Sequence, residues 1–397
     1  MEVITPLLPF VTIAILITIA VPLSTATKIP IVVTEILLGI IGQYLGFIDS
    51  HNSYITLVAD IGLLFLMFLC GLEVDLKSFL SMGSKFLYQA LFYFVSLYCL
   101  SAIAVITLQL PLIFIAILPV MSLGMIMALI RDYGKNKPWL NFALKIGVLG
   151  EVISISVLVT LEGVYRYGFN WRLGENLLIL TIFLVCIVGI FKLANILFWW
   201  FPNLKLLLLP HDDSNSQDLR FVFMLLFIFI LLTTGLHLEK VLGAFIAGVI
   251  LSTYFKYKHT LPQKLNDMGF GFFVPFFFVY VGTTIHIPSV LESPWILLHA
   301  FYLVVGMLLI RISASLLVFL RFFKSMKNTL LFALSDCMPL TFLVITASMG
   351  LKFGVISQSL YISCIFGAIF EGIFFSIAIK IIHTLWHKPT NLKKDML

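Results

Sequence analysis

The amino-acid sequence predicts an all-α polytopic membrane protein of about thirteen transmembrane helices. It reads as two inverted six-helix repeats joined by a linker helix, with one broken crossing helix in each repeat. Three observations carry this expectation. The 397 residues are 61% hydrophobic and only 11% charged, with mean hydropathy +1.11, whereas an ordinary soluble domain is about 25% charged. The apolar residues fall into successive runs of bilayer length. The second half of the chain then repeats landmarks of the first at matching spacing.

The runs lie at about 7–25, 29–47, 54–73, 86–108, 110–130, 139–162, 176–201, 219–237, 240–255, 268–287, 295–321, 328–351 and 355–386. Two joints are tight: Gln109-Leu110-Pro111, and Leu236 to Lys240. The longest polar stretch, His211 to Arg220, marks the joint between halves. Met1 to Pro9 has neither a basic n-region nor an A-x-A site, so the first run reads as a retained helix. Only about ten residues follow His387, and no appended cytoplasmic nucleotide-binding domain is expected. The five cysteines (Cys70, Cys99, Cys186, Cys337, Cys364) all sit in apolar runs without CxxC or Cys/His clustering, and read as packing residues.

Orientation follows from the basic residues. Seventeen Lys and Arg fall in loops after odd-numbered runs or in the tail, against four (Arg166, Arg172, Lys240, Lys352) on the other side. That places the N-terminus outside and the C-terminus in the cytoplasm of a cell (inner) membrane. The net charge of +6 is thereby explained without nucleic acid.

The repeat is visible in individual residues. Pro119 interrupts the fifth run and Glu151 follows 32 residues later in the sixth; Pro339 interrupts the twelfth and Glu371 follows 32 residues later in the thirteenth. FLMFLCGLEVDL in the third run resembles FFFVYVGTTIHI in the tenth, and ILLGIIG around Gly39 resembles AFIAGVI around Gly248. Counterparts are seven runs apart, an odd offset that inverts one repeat relative to the other. Interrupted helices at matching positions point to a midplane site. Proline there frees a backbone carbonyl that can face a bound cation.

Glu151 is the focus, because a carboxylate at bilayer depth costs roughly 3 kcal/mol and needs a partner, a proton or a water-filled cavity. One reading is a structural ion pair with Arg311 or Lys145; the other is a carboxylate that binds a proton or a cation. Lys145 lies six residues earlier, about 240° around a helix, so the two share no face, and Lys145 is expected to snorkel to the cytoplasmic interface. Arg311 keeps its charge and requires a partner. Asp336 is a candidate for that role or for lining the second crossing. Glu35 and Asp60 read as structurally paired.

The residues themselves resemble a family. KIPIVVTEILLGIIGQYLG and ADIGLLFLMFLCGLEVDL look like the opening helices of the monovalent cation:proton antiporter-2 family, which includes Kef-type potassium/proton and bacterial sodium/proton antiporters. LHLEKVLGAFIAGVILS and VPFFFVYVGTTI match pieces of its second half, and the likeness runs from about Pro6 to Ile377. The resemblance implies the sodium/proton antiporter-like fold and a homodimer. It also implies a dimerisation domain (residues 1–85 and 219–290), a moving core (86–165 and 291–387), a linker (166–218) and a cytoplasmic tail (388–397). ILPVMSLGMIM looks like the family's crossing motif, with Pro119 and Ser122 in matching places. Where the family carries a polar residue and an acid, this chain has Gly150-Glu151; Met121 replaces a Thr, and Ser335 to Pro339 replaces a Gly-Glu pair.

The expected function is therefore exchange of H⁺ for Na⁺ or K⁺ by alternating access. Glu151 is the shared proton and cation site, with Ser122 and the break at Pro119 beside it. Arg311, Asp336, Glu371 and Lys145 are supporting charges, and Pro339 marks the second crossing. A single carboxylate implies one-for-one exchange unless Asp336 or Glu371 titrates with it. The alternative is a channel-like or regulatory relative that keeps the fold without coupled exchange. No enzyme motif is present: HExxH, a Ser/His pair and GxGD are all missing. No cofactor is expected; the partners are the lipid bilayer and a second copy, and a separate cytoplasmic regulatory subunit stays open.

Overall fold

The computed structural model describes residues 8–27, 29–48, 52–73, 83–134, 136–168, isolated helical positions between 171 and 200, 216–236, 238, 240–254, 260–285 and 293–385. The seventh expected span and the tail fall largely outside them. The described residues form α1 (Leu8–Thr27), α2 (Ile31–Tyr44), α3 (Ser53–Glu73), α4 (Ser84–Thr107), α5 (Phe114–Ile117), α6 (Leu123–Tyr133) and α7 (Pro138–Tyr167) in the first half. The second half holds α8 (Gln217–Gly235), α9 (Lys240–Tyr254), α10 (Thr260–Met268), a π turn (Gly269–Phe273), α11 (Val274–Thr283), α12 (Trp295–Phe323), α13 (Met326–Asp336), α14 (Leu340–Lys352) and α15 (Gln358–Leu385). Among the described residues, eight helices are long and apolar enough to cross a membrane. The protein is all-α and polytopic, as its composition predicts.

Backbone packing divides the chain into two compact units. Unit 1 comprises Met1–Ser81 and Val159–Glu292; unit 2 comprises Met82–Leu158 and Ser293–Leu397.

Unit 1 is organised by helix crossings too close for side chains. A methyl group on Gly39 of α2 would overlap the Val279 carbonyl oxygen of α11 and lie 3.1 Å from Gly282 Cα. Gly282 returns the constraint, since a methyl group there would overlap the Ile36 carbonyl. The same reciprocal fit joins Gly71 of α3 to Gly248 of α9, with the Phe245 and Phe68 carbonyls in the way. These four glycines are the residues that align in the two repeats. α2 therefore docks on the counterpart of α3, and α9 docks on α3 itself. Small residues let membrane helices approach until backbone van der Waals contact replaces the missing hydrophobic drive.

The tenth span departs from its expected start. Hydropathy places it at 268, but the helix begins at Thr260, because Gln263, Lys264, Asn266 and Asp267 give α10 a polar face. Lys264 of α10 pairs with the buried Asp218 of α8 at 2.9 Å. The π turn that follows carries the Phe273 carbonyl against Gly62 of α3, where a side chain would collide.

Unit 2 repeats one pattern twice: a long helix, a broken span, a long helix. The first instance is α4, α5/α6, α7; the second is α12, α13/α14, α15. In the first broken span only Phe114 to Ile117 is α-helical before the chain straightens through Val120 to Ser122. Pro119 lacks the N–H that would continue α5. Pro339 acts likewise: α13 ends at Asp336, and α14 starts at Leu340. The two broken spans face each other, α14 touching α5 and α6 while α13 touches α6. Beside them Tyr93 of α4, Phe142 of α7, Phe319 of α12 and Phe332 of α13 form a buried aromatic cluster, with Phe142–Phe319 and Tyr93–Phe319 centroids 4.8 and 4.9 Å apart.

Candidate functional site

Helix breaks leave backbone carbonyls without intrahelical donors, and inside a membrane each must be satisfied by protein. Arg311, fully buried on α12, does this for both breaks. Its Nη1 donates to the Leu118 carbonyl at 2.6 Å, its Nη2 to the Val120 carbonyl, and its Nε to the Asp336 carbonyl at 3.1 Å. These carbonyls flank Pro119 and end α13. They lie at the carboxyl ends of half-helices, where partial negative charge gathers. The cation facing these three carbonyls is thus one of the protein's own side chains. The guanidinium suits the task because its planar fork reaches several acceptors at once.

Asp336 completes the arrangement. Its Oδ2 lies 3.6 Å from Arg311 Nε and accepts a hydrogen bond from the Tyr93 hydroxyl at 2.7 Å, with all three side chains buried. Of the two roles open to Asp336, the structure displays the pairing with Arg311. Cys337, also buried, sits beside the same guanidinium. Tyr93 was not legible in sequence: one tyrosine among the aromatics of α4 carries no spacing signature, and its partner lies 243 residues away.

Glu151 lies on α7 and is fully buried. Three residues around it bring α7 against the first break. A methyl group on Gly147 would lie 2.9 Å from Ile126 and 3.0 Å from Leu123 side-chain carbons. One on Gly150 would overlap the Met121 thioether sulfur and lie 3.0 Å from Met121 Cβ and Cγ. The Ser154 hydroxyl accepts the Met121 backbone N–H at 3.0 Å. Positions 147, 150, 151 and 154 share one helical face, so Glu151 belongs to the face applied to residues 121–126. The two departures at Gly150 and Met121 prove to be one: the thioether fills the room that glycine vacates. Ser122 is buried in the break itself.

The other expected residues are placed as follows. Lys145 is half-buried on α7. Glu371 is fully buried on α15, beside Arg311, Cys337 and Cys364. Glu35 is buried on α2, and Asp60 is exposed on α3. Among the described residues, no cluster of three or more His, Cys, Asp or Glu side chains is grouped to hold a metal ion.

A family profile described as "Sodium/hydrogen exchanger, transmembrane" matches residues 11–385. The chain belongs to the sodium/hydrogen exchanger family. Among its relatives is YjbQ of Bacillus subtilis, a protein named for Na⁺/H⁺ antiport, 25% identical over 390 residues; these cover 92% of this chain and 61% of YjbQ. This chain therefore spans less than two thirds of that relative's length. A protein of Methanocaldococcus jannaschii named "Probable Na(+)/H(+) antiporter 3" is 25% identical over 362 residues, 89% of this chain and 90% of that protein. The solved structure of the sodium proton antiporter MjNhaP1 from Methanocaldococcus jannaschii superposes with TM-score 0.65 at 18% identity, covering 98% of this chain and all of that one. That likeness establishes the fold: two inverted repeats with broken crossing helices. The family is one of membrane transporters.

Proposed function

We propose that this chain exchanges H⁺ for a monovalent cation, Na⁺ or K⁺, with Glu151 as the group that holds one or the other. The observation that carries this is the burial of Glu151 on the face of α7 that Gly147, Gly150 and Ser154 press against the first break. A carboxylate there is neutral when protonated and negative when not, and the negative form needs a cation in a site without bulk water. Proton and cation therefore exclude one another, which couples their movements. The Ser122 hydroxyl supplies a further oxygen ligand. Arg311 supplies none; it holds the breaks open and gives the site a fixed positive background.

The remaining expectations join this reading. Unit 2 is the moving core that carries the site, and helices 1–3 and 8–10 of the predicted order form the homodimer scaffold. The membrane is the cell (inner) membrane, with the N-terminus outside. The opening-helix motifs favour the cation:proton antiporter-2 branch within the family. Competing with exchange is a channel-like or regulatory role, favoured by one observation: Met121 seats an apolar thioether against Gly150, beside Glu151.

Cation-dependent proton movement in everted vesicles separates the two. Glu151→Gln keeps shape but cannot swap a proton for a cation, and is expected to abolish exchange while the protein still folds and elutes at its native size. Exchange at the wild-type rate in this variant sinks the proposal.

A further inference from the structure

Glu371 is a buried acid that exchange at Glu151 does not itself use. It is fully buried, and neither carboxylate oxygen has a hydrogen-bond partner among the described residues. Close packing of α15 on α12 encloses it: a methyl group on Gly367, one turn earlier, would lie 2.9 Å from the Leu303 side chain. The charged and titratable groups around it are Arg311 from α12, Cys337 just after α13, and Cys364 from its own helix. α14, which also packs on α15, carries only Lys352, at its far end.

Arg311 makes no hydrogen bond to Glu371; its Nε, Nη1 and Nη2 each donate to a carbonyl of a break, those of Asp336, Leu118 and Val120. Asp336 differs, since it has Tyr93 at 2.7 Å and Arg311 at 3.6 Å. An ionised Glu371 would be a buried charge without one hydrogen bond, a costly arrangement that a bound proton removes. The position is equally telling. Glu371 follows Pro339 by the 32 residues that separate Glu151 from Pro119. The inverted repeat thus gives the second break its own carboxylate.

We propose that Glu371 is a second proton-carrying carboxylate of the exchanger, protonated in the conformation seen here, so that two protons move against each cation. In the cycle its O–H bond breaks and the proton passes to water when the second break opens. The carboxylate takes a proton from the opposite side before the site closes. Arg311, unchanged throughout, offsets the negative charge in between. This rests on exchange at Glu151.

The test uses the purified full chain in liposomes, with the membrane potential clamped by a lipophilic ion and Na⁺ or K⁺ as the driving ion. Wild-type exchange is expected to change with imposed voltage, because each cycle moves one net charge. Glu371→Gln is expected to keep exchanging with the voltage response lost. A voltage-insensitive wild type, or a Gln variant that stays voltage-sensitive, overturns the proposal. Should the Gln variant not exchange, Glu371→Asp decides: voltage-sensitive exchange supports a proton carrier, and silence overturns it in favour of packing. Wild type without any exchange rejects the Glu151 reading as well, whereas electroneutral wild-type exchange rejects only the second carrier.

Discussion

The fit of Met121 onto Gly150 is the feature most open to a quantitative test. Gly150→Ala adds one methyl group where the Met121 sulfur already sits, with Met121 Cβ and Cγ only 3.0 Å away. Those two carbons lie close to the backbone, so rotating the end of the side chain does not clear the space. Overpacking of this kind costs about 1–3 kcal/mol. Met121→Ala alone opens a cavity in a site that is 1% exposed, and truncating buried Met to Ala costs about 2–5 kcal/mol. In the double variant the new methyl enters the space the thioether has left. The combined loss is therefore expected to fall short of the sum by about 1–3 kcal/mol, the coupling range of residues in contact. Thermal unfolding in detergent of the wild type, both single variants and the double variant measures this. Strict additivity, or a Gly150→Ala protein as stable as wild type, would refute the fit. Activity extends the test: Met121→Thr with Gly150→Asn restores two polar groups beside Glu151 and is expected to change apparent cation affinity more than either change alone.

Three further outcomes are expected. Replacing Gly71 or Gly248 with Leu forces a side chain into a facing backbone carbonyl, so each variant should lose folded, monodisperse protein; normal yield and melting would show that unit 1 can spread. Tyr93→Phe removes the hydroxyl bonded to Asp336, at a cost of about 1.5–3 kcal/mol for a hydrogen bond to a charged group, visible as a lower melting temperature; an unchanged melt would dissociate the hydroxyl from stability. Because H⁺ and cation compete for Glu151, the apparent KM for the cation should rise as pH falls, with the maximal rate at saturating cation much less affected. A KM flat across pH would argue for separate sites.

Most of the architecture was legible because it rests on hydropathy, and lipid makes hydropathy strict. The limits of α3 and α9 agree with the apolar runs to within a residue. α10 was missed because Thr260–Met268 is amphipathic, and its polar face reads as loop when only apolarity is counted. The repeat was legible through Pro119, Pro339 and the glycines, residues whose backbone consequences depend little on surroundings. The interior of unit 2 was not. That Arg311 needed a partner followed from its permanent charge, but its three carbonyl acceptors are main-chain atoms and leave no mark on residue identity. Tyr93 and the seat of Met121 on Gly150 depend on contacts between distant segments, which no local pattern encodes.

The reciprocal glycine crossings in unit 1 have a consequence for how the protein comes to exist. α2 finds its seat on α11 and α3 finds its seat on α9, so each half of the sequence supplies the socket for the other half's helix. The first half is therefore expected to complete its packing only after Gly248 and Gly282 have been synthesised. A chain cut between the halves would leave two fragments that mature only in each other's company, as obligate partners made from one gene.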